Sequence, residues 1–335
     1  MREVAVVTTG FFDGVHLGHR HVLSEVVSVA REKGEESVVV TFWPHPRMVL
    51  QQDAREFRLL NTLEEKKELL SGAGIDRVEV LPFTREFAAL TASEYLTMLR
   101  DRFGASVVVM GYDNRIGSDK RTAVEIAAQG SPNPSVASLP SSLPTSLRSV
   151  GPLPFTWPRA ATGSENPWPS ISSTQIRQAL EAGDIDSANA MLGYRYGLQG
   201  VVVAGNRMGR TIGFPTANMQ LYEPLKLVPG NGVYAVEAEV LGRKFKGMCN
   251  IGLRPTVGGT FRTVETHILD FDEDIYGLPL GIRFARRIRD ERRFPSLDAL
   301  REQLLRDQEQ ILRDREQLLQ DQEQLLREQE QASKG

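Results

Sequence analysis

The spacing of apolar positions divides the chain into regions of different period. Val4 to Thr8 is a short apolar run that predicts a buried strand. A glycine-rich turn follows, and then Leu23, Val26, Val27 and Ala30 fall on one face of a helix. Ser37 to Phe42, Val78 to Leu81 and Ser106 to Met110 predict further strands. Thr62 with Glu65, and Thr91 with Glu94, have capping-box spacing and predict helix starts between them. Strands alternating with helices predict a parallel sheet wrapped by helices, an α/β domain.

Residues 130–171 lose that rhythm. Serine, proline and glycine dominate, which predicts a long loop with one short strand near Leu153 to Trp157. A helical pattern resumes at Ser172 and runs to about Leu192. Beyond Tyr194 the period falls to two. In GVYAVEAEV, Tyr234, Val236, Ala238 and Val240 share one face, and Glu237 and Glu239 take the other. Val264 to Leu269 and Leu280 to Phe284 behave alike, so this region predicts an antiparallel β-barrel. The chain then enters a seven-residue repeat: EQLLRDQ, EQILRDR, EQLLQDQ, EQLLREQ. Its apolar residues are adjacent pairs such as Leu304/Leu305 and Ile311/Leu312, not the spacing of a coiled-coil seam. Two readings stand: a solvated helix whose first turns dock on the barrel, or self-association through the C-terminal helix.

Composition narrows the classes. A length of 335 residues fits two compact domains plus extras. Hydrophobic residues at 41% and charged residues at 25% describe a soluble globular protein. A formal net charge of -3 nominates neither a nucleic-acid partner nor a membrane surface. The basic run Arg286, Arg287, Arg289, Arg292, Arg293 is interrupted by Asp290 and Glu291 and lacks a stacking series of aromatics. No apolar stretch reaches membrane-spanning length, and the N-terminus lacks a signal-peptide pattern. Cys249 is the single cysteine, which excludes an internal disulfide or a zinc ribbon. A cytoplasmic location is the expectation.

The polar clusters of the first region share a place: each follows a predicted strand. Gly10-Phe11-Phe12-Asp13-Gly14-Val15-His16-Leu17-Gly18-His19 follows the first, Trp43-Pro44-His45-Pro46 the second, and Gly111-Tyr112-Asp113-Asn114-Arg115 another. In an open parallel sheet these carboxyl ends converge on the ligand crevice. His16 and His19 flank Gly18 at a helix start, where backbone N–H groups favour anionic oxygens. Alone, such a pair reads equally as a surface accident or a metal site. Ser172-Ser173-Thr174 opens a later helix, Gln175 completes a capping box, and Arg177 lies one turn in. That is either a second anion site or a plain N-cap with a surface arginine.

In the second region, GNRMGRTIGFPTAN contains no P-loop. Gly209 and Gly213 permit a close-approaching backbone, Arg210 offers charge, and Thr216 and Asn218 supply neutral oxygens suited to Mg2+ and phosphate. A glycine-rich hairpin loop without a ligand is the plain alternative. The alternation around Glu265 turns it away from Val264 and Ile268, as either a base for an alcohol or an ordinary outward glutamate.

Taken together, these segments resemble a known family. TTGFFDGVHLGHRHVL with ISSTQIR is similar to the FAD synthetase module of bacterial bifunctional riboflavin kinase/FAD synthetases, itself similar to nucleotidyltransferases with an H-x-G-H motif. TFWPHPR and GYDNRIG follow in family order. GRTIGFPTAN, GVYAV, NIGLRPT, ETHILDFDEDIYG and RIRDERRF resemble the riboflavin kinase family. The seven-residue repeat predicts a helical tail over 301–335. The resemblance, which spans about residues 4–300, implies a Rossmann-like α/β nucleotidyltransferase domain over 1–185 and a riboflavin kinase β-barrel over 186–300.

It further implies phosphorylation of riboflavin to FMN and adenylylation of FMN to FAD, with ATP as co-substrate and Mg2+ as cofactor. Under it, His16, His19 and Arg177 act on the ATP phosphates, with Gly10, Phe11, Phe12, Asp13, Gly18, Ser172, Ser173 and Thr174 around the nucleotide. His45, Asp113 and Arg115 lie near the flavin or the nucleotide. Glu265 is the base for riboflavin, and Thr216 and Asn218 hold Mg-ATP. Gly209, Arg210, Thr211, Gly213 and Pro215 cover that nucleotide, while Arg289 and Glu291 border the flavin. Family members carry Phe where Ile116 stands, and the segment from Arg121 to Ser172 lacks a clean helix and strand. A kinase with an impaired synthetase, and a non-catalytic flavin-binding scaffold assembling through the tail, therefore remain as alternatives.

Overall fold

The computed structural model describes residues 4–50, 57–111, 114–128, 134–138, 171–205, 208–256 and 259–313. Contacts divide the chain into two compact units. The first comprises residues 1–177, 190–193 and 225–227; the second comprises 178–189, 194–224 and 228–335.

The first unit is a parallel sheet. Its elements run β1 (Ala5–Thr9), α1 (Leu17–Lys33), β2 (Glu36–Trp43), α2 (Pro46–Leu50), α3 (Leu63–Gly72), β3 (Arg77–Pro82), α4 (Arg85–Ala88), α5 (Ala92–Phe103) and β4 (Ala105–Met110). A small antiparallel pair follows, β5 (Arg115–Ile116) and β6 (Arg121–Thr122), then α6 (Ala123–Ala128) and β7 (Ser135–Ser138). The strand order is β3-β2-β1-β4-β7, so the chain reverses its direction of advance at β1 and β4. That reversal opens a crevice at the strands' carboxyl ends. Helices cover both faces. Leu23, Val26 and Ala30 of α1 and Leu70 of α3 pack on one. Tyr95, Leu96, Leu99 and Phe103 of α5, with Ile126, pack on the other. A sheet buried on both faces explains why β1 and β2 read as unbroken apolar runs. Both capping boxes, Thr62–Glu65 and Thr91–Glu94, are formed.

One expectation differs from the fold. Ser135–Ser138 is an edge strand paired with β4, where the serine and proline content predicts loop. Four residues with two serines carry too little apolar signal to outweigh that composition. The strand expected near Leu153 to Trp157 lies outside the described residues. The helical region expected from Ser172 to about Leu192 is present as two helices, α7 (Ser173–Ala182) and α8 (Ile185–Leu192). Gly183 takes φ 77 and ends α7, and the Asp184 carboxylate caps α8 by accepting from Ser187 N at 3.1 Å.

The second unit is a closed antiparallel barrel of order β10-β11-β12-β9-β8-β13. Its strands are β8 (Gly197–Val203), β9 (Ala217–Leu221), β10 (Gly232–Val240), β11 (Arg243–Thr256), β12 (Gly259–Ile268) and β13 (Pro279–Arg289), with the short helix α9 (Met208–Thr211) between β8 and β9. Tyr234, Cys249, Val264, Thr266 and Phe284 are buried inside. A helix over 297–313, α10, follows. Its Leu304 and Ile311 pack with Phe214, Ala235, Met248 and Leu269 on the barrel, while Leu305 and Leu312 stay exposed. The docked-helix reading therefore holds for residues up to 313; the later repeats lie outside the described residues.

Candidate active sites

The turn after β1 is strained and tied down. Phe12 (φ 46) and Val15 (φ 36) adopt left-handed backbone that side chains disfavour, and Gly14 (φ 88) does so between them. Asp13, 4% exposed, anchors this turn. Its carboxylate accepts from Leu60 N at 3.3 Å and pairs with the Arg177 guanidinium. Ser173 Oγ donates to the Asp13 carbonyl at 2.8 Å. Arg177 also donates to the carbonyls of Arg58 (2.9 Å) and Ser173 (3.2 Å) and lies 4.7 Å over the Phe57 ring. The expected Ser172–Gln175 capping box is present. The β1 turn and the start of α7, 160 residues apart in sequence, thus form one cluster.

His16 is the N-cap of α1, and its Nδ1 accepts from His19 N at 3.3 Å. That bond leaves the proton of the neutral ring on Nε2. The two imidazoles stack at 3.6 Å, with Phe12 edge-on to His19 at 5.3 Å. A Cβ on Gly18 would stand 3.2 Å from the His16 ring, so glycine keeps this stack relaxed. Burial lowers the His16 pKa to about 4, with Asp13 opposing. Burial also holds His19 well below its ordinary value, helped by the charges of His16 and Lys66. His45 stacks on Phe57 at 4.4 Å and lies 5.4 Å from Phe11, and burial takes its pKa to about 4. Phe12 also lies against Gly10, whose added Cβ would meet its ring at 3.3 Å. Thr174 and Arg115 are exposed, Ile116 is buried in the core, and Asp113 lies outside the described residues.

Two lysines of this unit escaped the sequence reading. Lys66 on α3 is 2% exposed, with its ammonium 6.0 Å from the Trp43 ring centroid. Lys226 is also buried; it donates to the Leu60 carbonyl at 2.8 Å and pairs with Glu65. For Lys66 a signal existed: it falls with Leu63 and Leu70 on the inward stripe of α3.

In the barrel, register brings the second set together. Asn218 pairs with Glu265, Glu265 with Asn250, Asn250 with Val233, and Val233 with Arg289. Directly opposed residues share a face, so Asn218, Glu265 and Asn250 form a polar row on the barrel's outer side. Gly205 lies beneath the Asn218 amide, where a Cβ would come within 2.2 Å. Gly209 is equally close to the Phe214 carbonyl, at 2.2 Å, and Gly213 takes φ 83. The loop holds a short helix, α9, where glycine content suggests an open hairpin. Arg210, Thr211 and Pro215 are exposed, and Thr216 is half-buried. His267 bonds the Pro215 carbonyl through Nδ1 at 2.7 Å and lies edge-on to Phe214. Arg289 is held by Asp307 of α10, Nε to Oδ2 at 2.9 Å and Nη2 to Oδ2 at 2.8 Å. A Cβ on Gly252 would meet the Glu291 carboxylate at 2.2 Å, so that glycine gives Glu291 its place. Asn218, on the strand that opposes Glu265, offers a hard amide oxygen, and Thr216 two residues before it a hydroxyl. Such a set fits Mg2+, which takes few protein oxygens alongside substrate phosphates.

Comparison with known proteins agrees with this division. The FAD synthetase family matches residues 1–138, and the riboflavin kinase family matches residues 192–314. The bifunctional riboflavin kinase/FMN adenylyltransferase of Bacillus subtilis is 34% identical over 307 residues, covering 91% of this chain and 90% of the relative. The protein of that name from Escherichia coli K12 is 36% identical over 310 residues, covering 92% and 91%. A solved structure from Streptococcus pneumoniae, described as a macrolide-efflux protein, superposes with a TM-score of 0.79 at 32% identity, over 92% of this chain and 94% of that one. Among the described residues, no helix is long and apolar enough to cross a membrane. With both enzyme modules present, the chain belongs to the bifunctional riboflavin kinase/FMN adenylyltransferase family, the enzymes of flavin cofactor biosynthesis.

Proposed function

We propose that each unit carries one step, riboflavin to FMN in the barrel and FMN to FAD in the α/β unit. The carrying observation is that each unit gathers its own donor set around a suitable scaffold: stacked histidines at a helix start in one, the Asn218–Glu265 row in the other. In the barrel, Glu265 accepts the proton of the riboflavin 5'-hydroxyl as that oxygen attacks the γ-phosphorus of ATP, the bond to the β,γ-bridging oxygen breaks and ADP leaves. Thr216 and Asn218 would hold Mg2+, which would supply charge neutralisation to the phosphates. The loop from Gly209 through Arg210, Thr211 and Gly213 to Pro215 covers the nucleotide, and Glu291 borders the flavin. Arg289 acts through Asp307 as a positioning residue for that border.

In the α/β unit, the FMN phosphate attacks the α-phosphorus of ATP and pyrophosphate leaves, so no protein nucleophile is needed. His16 and His19 donate to phosphate oxygens whose charge grows during displacement. Among the described residues His19 Nδ1 is buried without a hydrogen-bond partner, which supports a ligand contact there. Ser173, Thr174 and the guanidinium N–H groups of Arg177 not taken by protein carbonyls or Asp13 complete the anion site. His45 and Arg115 serve the flavin or nucleotide.

A cytoplasmic location is in keeping with dependence on ATP and with the single, buried Cys249. The exposed Leu305 and Leu312 favour self-association through the repeats that follow. The test of the function is direct: purified chain, riboflavin, ATP and Mg2+, with flavins resolved over time. FMN should appear first and FAD after it. FMN accumulating without FAD at saturating ATP would reject the synthetase half, and no conversion of either flavin would reject both.

A further inference from the structure

Among the described residues of the first unit, the buried charges do not cancel. Asp13 is paired with Arg177, and Glu65 is paired with Lys226 while its carboxylate also accepts from Thr62 N at 2.9 Å. Both carboxylates are therefore occupied by other cations. Lys66 remains, 2% exposed, its ammonium 6.0 Å from the centroid of the Trp43 ring. It makes no hydrogen bond or ion pair among the described residues. Its charge is felt by His19 and by His45, and it feels Asp13 in turn, so it sits where the α1 helix start and the Trp43-His45 turn converge. An ammonium held largely out of water without a paired anion is unfavourable, and proteins tolerate one where a ligand supplies the missing charge.

We infer that Lys66 is a phosphate-binding residue of the adenylylation site, placed to take an oxyanion of the reacting phosphates between His19 and the Trp43-His45 turn. This deepens the reading of that site given above and rests on it. Burial lowers the pKa of Lys66 in the ligand-free chain, which is the state an arriving phosphate would reverse. The same chemistry comes from two sources, the polyphosphate of ATP or the phosphate of FMN.

The experiment uses the full chain with Lys66→Met, which keeps the apolar stem, and Lys66→Arg, which keeps the charge. Initial rates of FAD formation are measured against ATP and against FMN, together with pyrophosphate inhibition. Lys66→Met should raise the KM of one substrate by about 10- to 100-fold, the worth of a charge-assisted hydrogen bond, with Lys66→Arg recovering most of it. Weaker binding of ATP and of pyrophosphate assigns the nucleotide; a rise confined to FMN assigns the flavin phosphate. Pyrophosphate or FMN should also raise the melting temperature of the parent chain and do so less for Lys66→Met. Unchanged KM and kcat, within about twofold, would overturn the assignment. So would equal losses in Lys66→Met and Lys66→Arg with equally lowered melting temperatures, the mark of a purely structural lysine. His19→Ala separates the two levels: if it too leaves FAD formation intact, the site reading itself fails.

Discussion

At the scale of single residues, the two proposed sites rest on different side chains in different units. Glu265 and His19 lie in different units, so their losses should separate. Glu265→Gln should cut riboflavin phosphorylation by about 10²- to 10⁴-fold, the usual contribution of a general base, and leave FMN-to-FAD conversion within about twofold. His19→Ala should do the reverse, lowering adenylylation by about 10²- to 10³-fold. Assays of each half-reaction on the same preparations check both, and loss of both activities in a folded variant would refute the assignment. Titration gives a second handle. His16 and His45 titrate at about 4 in the folded chain because of burial, against 6.5 ordinarily. Between those values the unfolded chain binds protons that the folded chain refuses, so stability is full above about pH 6.5 and is lost as pH falls toward about 4. His45→Gln should therefore show a smaller fall in melting temperature across that window than the parent chain.

At the scale of elements, ion pairs decide how two helices are placed. Asp13 ties the first turn of α7 to the loop after β1. Asp307, 1% exposed, ties α10 to β13 through Arg289. Asp307→Ala leaves a half-buried guanidinium without its partner and should destabilise the barrel by about 3 kcal/mol, the low end for a broken buried pair. Chemical denaturation of the full chain, compared between parent and variant, reads that loss. The same geometry sets where the tail can be cut. Truncation after residue 313 keeps Leu304, Asp307 and Ile311 and should leave riboflavin phosphorylation unchanged. Truncation after residue 303 removes all three and should lower the melting temperature of the barrel. The exposed pairs Glu302–Arg306 and Glu309–Arg313 are formed as their spacing predicts, but such pairs contribute little to either outcome.

At the scale of the whole molecule, the units are not simple consecutive stretches of chain. Residues 225–227 belong to the first unit although barrel strands flank them in sequence. Leu59 and this segment exchange backbone bonds, Leu59 N to Leu225 O at 2.8 Å and Leu227 N to Leu59 O at 2.9 Å. Lys226 adds its pair with Glu65 at the α3 capping box. A fragment ending at residue 193 therefore lacks part of the first unit and leaves the Glu65 carboxylate without its cation. It should melt below the corresponding transition of the full chain, and Lys226→Met in the full chain should reproduce part of that loss. Equal melting of fragment and full chain would show that the strap carries no stability.

Much of this was open to reading from the residues. Period and capping spacing are local properties, so β1, β2, α1, the two capping boxes and the alternation of β10 follow from nearest neighbours along the chain. The order of the motifs likewise carried the family. Tertiary structure decided what depends on distant partners: the pairing of Asp13 with Arg177, the register that opposes Asn218 to Glu265, and the edge strand β7 inside a serine-rich segment. It also decided that Lys66 turns inward without an ion pair among the described residues, and that Leu304 and Ile311 are covered while Leu305 and Leu312 are not. The physical reason is common to all of these. Burial and charge compensation are set by groups brought close only when the chain closes on itself, and a linear pattern records which side chains are present without recording what will stand beside them.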